Sequence, residues 1–192
     1  MTQSQDNVQH RPPLDLLAQL REDLAVYDSW TRPGFQALAL YRIGVWRKSQ
    51  HALVRRPVGA VQRCLELVIR NVYGIELPVD ATIGRRLCIA HSGSVHIHAD
   101  AVLGDDCRLR KNVTIGSVSD HSVGAPRLGD RVDVGVGAVV IGNIAVGNDA
   151  RIGPNAIVTT SVPDGAMAVA APARVLTSLP KAAPLPEQPS DG

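Results

Sequence analysis

Six histidines lie along this chain of 192 residues, and four of them fall between positions 91 and 121. Neutral imidazole, with an ordinary pKa of ~6.5, takes up and releases protons near neutrality, so these are the natural acid–base groups. His91 closes the run ATIGRRLCIAH. His96 and His98 alternate along one strand face, the spacing of two metal ligands, but no third ligand is evident and no metal is expected. His121 follows Asp120 in a polar stretch, Ser117 to Arg127, that reads SVSDHSVGAPR. The cysteines are Cys64, Cys88 and Cys107; an odd number at these spacings fits neither a zinc knuckle nor a redox pair. They are expected to be reduced and packed, not nucleophilic.

An internal repeat must position these groups. From Leu128 every sixth residue is aliphatic: Leu128, Val134, Val140, Val146, Ile152, Val158. Four places after each stands another small or aliphatic residue: Val132, Ala138, Ile144, Ala150, Ala156, Val162. Glycine follows an aliphatic residue at Gly84, Gly104, Gly116, Gly129, Gly135, Gly147 and Gly153. A period of six reads as one short strand plus one turn, and three such units close a triangular coil. The anchors stack inward and glycine, lacking Cβ, accepts the sharp corner. The fold class is therefore mainly β, a left-handed parallel β-helix. The period breaks twice, by a two-residue slip between His91 and Leu103 and by the excursion at 117–127. Polar excursions from a regular solenoid are where binding and chemistry collect.

A small α-helical region precedes the coil. One helix is expected over 14–26, with Leu16, Leu17, Leu20 and Leu24 on one face; a second runs from Phe35 to Trp46. A third begins after Pro57, its apolar positions Val58, Val61, Leu65, Val68 and Val72 spaced by three and four. The domain reading is a disordered 1–11, helices over 12–74, the β-helix over 75–176 and a flexible, Pro-rich 177–192. All six Phe, Trp and Tyr residues precede position 75, so the coil's interior is aliphatic. A net charge of +2 is too small to imply nucleic acid. Arg47, Lys48, Arg55 and Arg56 form a local basic cluster, either a solvated helix end or a weak peripheral contact with an anionic membrane or an acidic polymer. The polar first residues lack a signal peptide's apolar core, and no run is long enough to span a bilayer, so a cytoplasmic protein is expected.

With the hexads in place, residues 20–176 resemble serine acetyltransferase and its hexapeptide-repeat relatives. The specific matches are GFQALALYRI, ATIGRRLCIAH and the closing AAPARV. Within that group, GIELPVDATIGRR and DDCRLRKNVTIG look closest to exopolysaccharide O-acetyltransferases of the colanic-acid type. The resemblance implies an acetyl-CoA-dependent O-acetyltransferase with His91 as general base. Glu76, fifteen places earlier, would orient its imidazole. For coenzyme A it implies a groove between two subunits along Gly116, Gly135, Val136, Gly137, Ala138 and Pro154, with Pro172 and Arg174 near the nucleotide end. It also implies a homotrimer, with the third helix as the element able to pair trimers.

Departures from the family pattern bear on the acceptor. Ala90 stands where the family has an acceptor-binding Asp, and Gly124 and Ala125 stand where it has an Arg and a second His. His121, with Asp120, is the loop's substitute candidate. Without the usual groups a zwitterionic amino acid lacks charge partners. The expectation is therefore a saccharide hydroxyl, as in polysaccharide biosynthesis. The alternatives are serine, as in cysteine biosynthesis, and a non-catalytic trimeric scaffold.

Overall fold

The computed structural model of the chain describes residues 15–91, 93–119 and 124–172. Three helices come first: α1 (Leu16–Tyr27), α2 (Pro33–Lys48) and α3 (Ala52–Tyr73). The third starts earlier than expected, and Pro57 lies inside it rather than ahead of it. Pro57 has no N–H for Leu53's carbonyl, a loss that water offsets where Leu53 is exposed. Gly74, at φ 68, ends α3 and turns the chain into the coil.

Short strands follow. The first coil comprises β1 (Ile75–Glu76), β2 (Thr82–Ile83) and β3 (Cys88–Ile89), and the second β4 (Val95–Ile97), β5 (Val102–Leu103) and β6 (Arg108–Leu109). The third has β7 (Val113–Gly116), β8 (Arg127–Leu128) and β9 (Asp133–Val134). The fourth has β10 (Val139–Ile141), β11 (Ala145–Val146) and β12 (Arg151–Ile152), and β13 (Ile157–Val158) and β14 (Met167–Ala168) follow. Strands on one side of successive coils pair in parallel, giving sheets ordered β1-β4-β7-β10-β13, β2-β5-β8-β11 and β3-β6-β9-β12-β14. This is the expected left-handed parallel β-helix, about four turns long. All six anchors from Leu128 to Val158 are at most 5% exposed.

One edge of the prism is stitched by side chains. The N–H of Arg85 donates to Asp105 Oδ1, Asp105 to Asp130, Asp130 to Asn148 and Asn148 to Asp164, each at 2.8 Å. A glycine precedes each donor because the coils approach closely there: a Cβ on Gly104 would lie 2.5 Å from the carbonyl carbon of Gly129. The ladder also locates the two irregularities read from the sequence, and its last step, Asn148 to Asp164, is short at 16 residues. Its regular step from Asp130 to Asn148 spans 18 residues, whereas Arg85 to Asp105 spans 20 and Asp105 to Asp130 spans 25. The first excess is the slip after His91 and the second is the excursion after Gly116.

The first coil has no coil above it, so β2 and β3 are sheet edges with unpaired backbone groups. Two tyrosines from the helices occupy those positions. Tyr41 donates its hydroxyl to the carbonyl of Ala81 at 2.7 Å and accepts from the N–H of Ile83 at 3.1 Å. Tyr27 does the same on β3, donating to Leu87 at 2.9 Å and accepting from Ile89 at 2.7 Å. Between them a buried ion pair ties both helices to the coil. Arg42 Nε lies 2.9 Å from Asp23 Oδ2, Arg42 Nη1 donates to the carbonyl of Ile83, and Asp23 Oδ1 accepts from the N–H of Arg86. The apolar stripe of α3 joins none of this. Val61, Leu65, Val68 and Val72 are exposed, and the helix buries Gly59, Gln62 and Ile69 instead.

Candidate active site

His91 sits at the corner that follows β3, two residues beyond the strand that Tyr27 holds. Its side chain is exposed and its backbone is left-handed, with φ 68. Left-handed backbone recurs at the corners of this coil, with Arg86, Asp106, Arg131 and Asp149 adopting it on another edge. Equivalent corners lower on the same edge give the left-handed position to Asn112, Gly137 and Asn155, types that adopt it readily. The slip moves that position onto His91, one place nearer its strand.

The coenzyme candidates stack beneath this corner. The N–H of Gly137 donates to the carbonyl of Lys111 at 3.0 Å, and the N–H of Asn155 to Val136 at 2.8 Å. Gly135, Val136, Gly137 and Pro154 therefore share one edge with His91. Ala138 is fully buried with its N–H and carbonyl both bonded, so it supports the turn from inside. Gly116 lies at the far end of β7, on the neighbouring edge, where its carbonyl accepts from Gly142 at 3.0 Å. Pro172 is exposed at the end of the described coil. Asp120, His121 and Arg174 lie outside the described residues.

Glu76 has a partner other than the one expected. Its Oε2 is 2.9 Å from Nδ1 of His96, and its Oε1 is 4.0 Å from Arg70 Nε. The reason is register: β1 lies beside β4, with Glu76 opposite His96. Fifteen residues fall short of this first coil, which returns to the same sheet only after 20. No hydrogen bond joins Glu76 to His91 among the described residues. A cleft of about 590 Å³ between α2, α3 and the first strands is lined by Glu76, His96, His98, Arg63 and Arg70, but not by His91. His98 Nδ1 accepts from the N–H of Asp100 at 3.2 Å. Among the described residues, no group of three or more His, Cys, Asp or Glu side chains is placed to hold a metal.

Cys64, on α3, is exposed rather than packed as expected, whereas burial disfavours thiol chemistry at the two cysteines of the coil. Burial pushes the Cys107 thiol up to about 12, and its Sγ donates to the carbonyl of Gly129 at 3.2 Å. Cys88 is half-buried and raised for the same reason. Neither carries an appreciable thiolate fraction at neutral pH. What sequence reasoning missed is Tyr27. Its only signal was a tyrosine closing an amphipathic helix, and its role needs the unpaired β3 edge to be seen.

No protein-family model matches the chain. It is 39% identical over 163 residues to a serine acetyltransferase of Helicobacter pylori (strain J99), covering 82% of this chain and 92% of that protein. The chain belongs to the serine acetyltransferase-like family of hexapeptide-repeat acyltransferases. The family's reaction moves an acetyl group from acetyl-CoA to a hydroxyl, and this member is an O-acetyltransferase with acetyl-CoA as donor. It is also 36% identical over 161 residues to a putative colanic acid biosynthesis acetyltransferase of Escherichia coli (strain K12), covering 80% of this chain and 96% of that one. A soybean serine acetyltransferase solved in complex with serine superposes with a TM-score of 0.68 at 27% identity, over 89% of this chain and 72% of that chain. No described helix of this acetyltransferase is long and apolar enough to cross a membrane.

Proposed function

We propose that His91 is the general base of acetyl transfer, the observation that carries this being its exposed, left-handed corner above a column of small residues. The imidazole takes the acceptor's proton as the hydroxyl oxygen attacks the thioester carbonyl. A tetrahedral oxyanion forms, then collapses with cleavage of the C–S bond. The imidazolium returns its proton to the departing thiolate, leaving an acetyl ester and free coenzyme A. Small turns at Gly135–Gly137 and Pro154 let the coenzyme's thin arm lie against backbone. Pro172 and Arg174 are proposed for its nucleotide end, and Asp120 and His121 for the acceptor. Glu76 makes no direct bond to His91; its carboxylate faces His96 in a cleft that His91 does not line.

A homotrimer suits this arrangement. The edge bearing His91 and the edge from which the excursion departs lie on opposite sides of one sheet, about 13 Å apart along the four residues of β7. A second protomer can offer its excursion to the first one's His91. The trimer and a cytoplasmic location are both part of the proposal.

Between acceptors, serine has the stronger support, from the Helicobacter relative and from the soybean enzyme solved with serine. This reverses the order that the sequence alone suggested. One observation favours a saccharide as the second reading. Ala90 carries no charge, Ala125 is only 3% exposed, and Gly124 has no side chain, so three positions that would pair serine's charges offer none. The test is release of free thiol from acetyl-CoA with serine and with a saccharide panel. His91→Ala is expected to slow whichever reaction occurs by ~10²-fold or more. Undiminished turnover in that variant overturns the base assignment, and turnover with saccharides but not serine selects the second reading.

A further inference from the structure

A lysine lies under the corner that carries His91. β3 pairs with β6 in register, Ile89 beside Leu109, so two places further along the second coil Lys111 comes beneath that corner. The approach is close: a Cβ on Gly93 would stand 2.8 Å from Lys111 Cβ. Lys111 is exposed, and its ammonium has no hydrogen-bond or ion-pair partner among the described residues. Arg110 beside it is already engaged, with Nη2 3.1 Å from Asp133 Oδ2 and Nε 3.4 Å from Oδ1. Asp133 itself stands between Arg108 and Arg151 across the sheet. Among the described residues this corner therefore has a cation to spare and no carboxylate to match it.

The coenzyme has little use for that charge. Its thin arm is proposed to lie along Gly135, Val136, Gly137 and Pro154, directly below Lys111, whose carbonyl accepts from the N–H of Gly137 at 3.0 Å. The arm is an uncharged amide chain, and its phosphates are proposed for the opposite end, at Pro172 and Arg174. An ammonium at the thioester end faces the acceptor instead. An acceptor's carboxylate gains a charge-assisted hydrogen bond there. An acceptor's amino group gains nothing, since Ala90 is uncharged and Asp133 is taken. Neighbouring coils lie about 4.8 Å apart, a span that a small hydroxy acid bridges.

We propose that Lys111 selects the acceptor of this acetyltransferase by pairing the carboxylate of a hydroxy acid whose hydroxyl meets His91 above it. This rests on His91 as the base, and it narrows both acceptor readings to anionic compounds. Serine qualifies through its carboxylate alone, so 3-hydroxypropionate, which is serine without the amino group, serves equally well. Among sugars, a uronic acid is preferred to its neutral parent.

Thiol release from acetyl-CoA by the full-length protein tests this with serine, 3-hydroxypropionate, serinamide, glucuronate and glucose. The acids are expected to exceed their uncharged counterparts by about 10-fold or more in kcat/KM. Lys111→Gln should raise KM for the acids by a similar factor and bring the ratio of serine to serinamide close to one, and Lys111→Arg should keep most of the preference. Four results would overturn the proposal: serinamide used as well as serine, serine used but not 3-hydroxypropionate, no turnover with any of the acids, or a Lys111→Gln defect confined to the KM for acetyl-CoA. The last would mean that the ammonium serves the coenzyme. Undiminished turnover in His91→Ala would refute the base assignment separately, because the carboxylate preference is read from wild type and Lys111→Gln alone.

Discussion

Replacing Tyr27 with Phe deletes one oxygen and leaves the ring in place. That oxygen serves two backbone groups, the carbonyl of Leu87 and the N–H of Ile89, in residues 0% and 3% exposed. The surroundings are dry enough that burial drives the phenol's own pKa well above its usual value. A buried backbone group left without a partner costs ~1–3 kcal/mol. Two such groups, after some relaxation, put the loss at ~2–4 kcal/mol. For a domain of this size that is on the order of 5–10 °C in melting temperature. Tyr41→Phe is the matched control, since it breaks the same two kinds of bond on β2. Thermal unfolding of both variants should show similar losses. Only Tyr27→Phe should also lower kcat, by ~10-fold, because β3 runs directly into Ala90 and His91 and displacing a reacting group is costly. A melting temperature within about a degree of wild type would refute the reasoning on stability. Equal loss of kcat in both variants would refute the link to His91.

Two further outcomes follow from the coil's edge. Gly104→Ala places a methyl 2.5 Å from the backbone of Gly129, forcing neighbouring coils apart, and should lower the urea midpoint by the equivalent of ~1–3 kcal/mol or more. Asp106 is held below the ordinary carboxylate range chiefly by its hydrogen bond to Arg86, and Glu22 by its bond to Arg85. Their folded pKa values are depressed, so the stability they contribute is complete above their unfolded values of about 4 and is lost as pH falls through the folded ones. Urea midpoints should therefore drop below about pH 4, and Arg86→Gln should flatten that drop.

The coil was legible because its physics is repetitive. An inward position every six residues must be aliphatic on every turn, so Leu128 through Val158 announce themselves. The slip after His91 and the excursion after Gly116 were legible as interruptions of the same rule. Which groups the slip would bring face to face was not. Counting fifteen residues from Glu76 leads to His91, yet the lengthened first coil puts His96 opposite it. Periodicity also established that α3 has an apolar face without saying what meets it. Val61 and Val72 look like core residues by spacing and are largely exposed. The tyrosine hydroxyls were invisible for a different reason: their partners are unpaired only because β2 and β3 begin their sheets.

The ladder from Arg85 to Asp164 gives the molecule a direction. Every coil leans only on its neighbours, as in other solenoids, but the two ends are closed unequally. At the helical end, two phenols and a guanidinium act as a stopper on the first turn. At the other, β11, β13 and β14 are the last strands of their sheets among the described residues. Among the described residues the corner proposed for the chemistry therefore sits at the more firmly closed end of the coil.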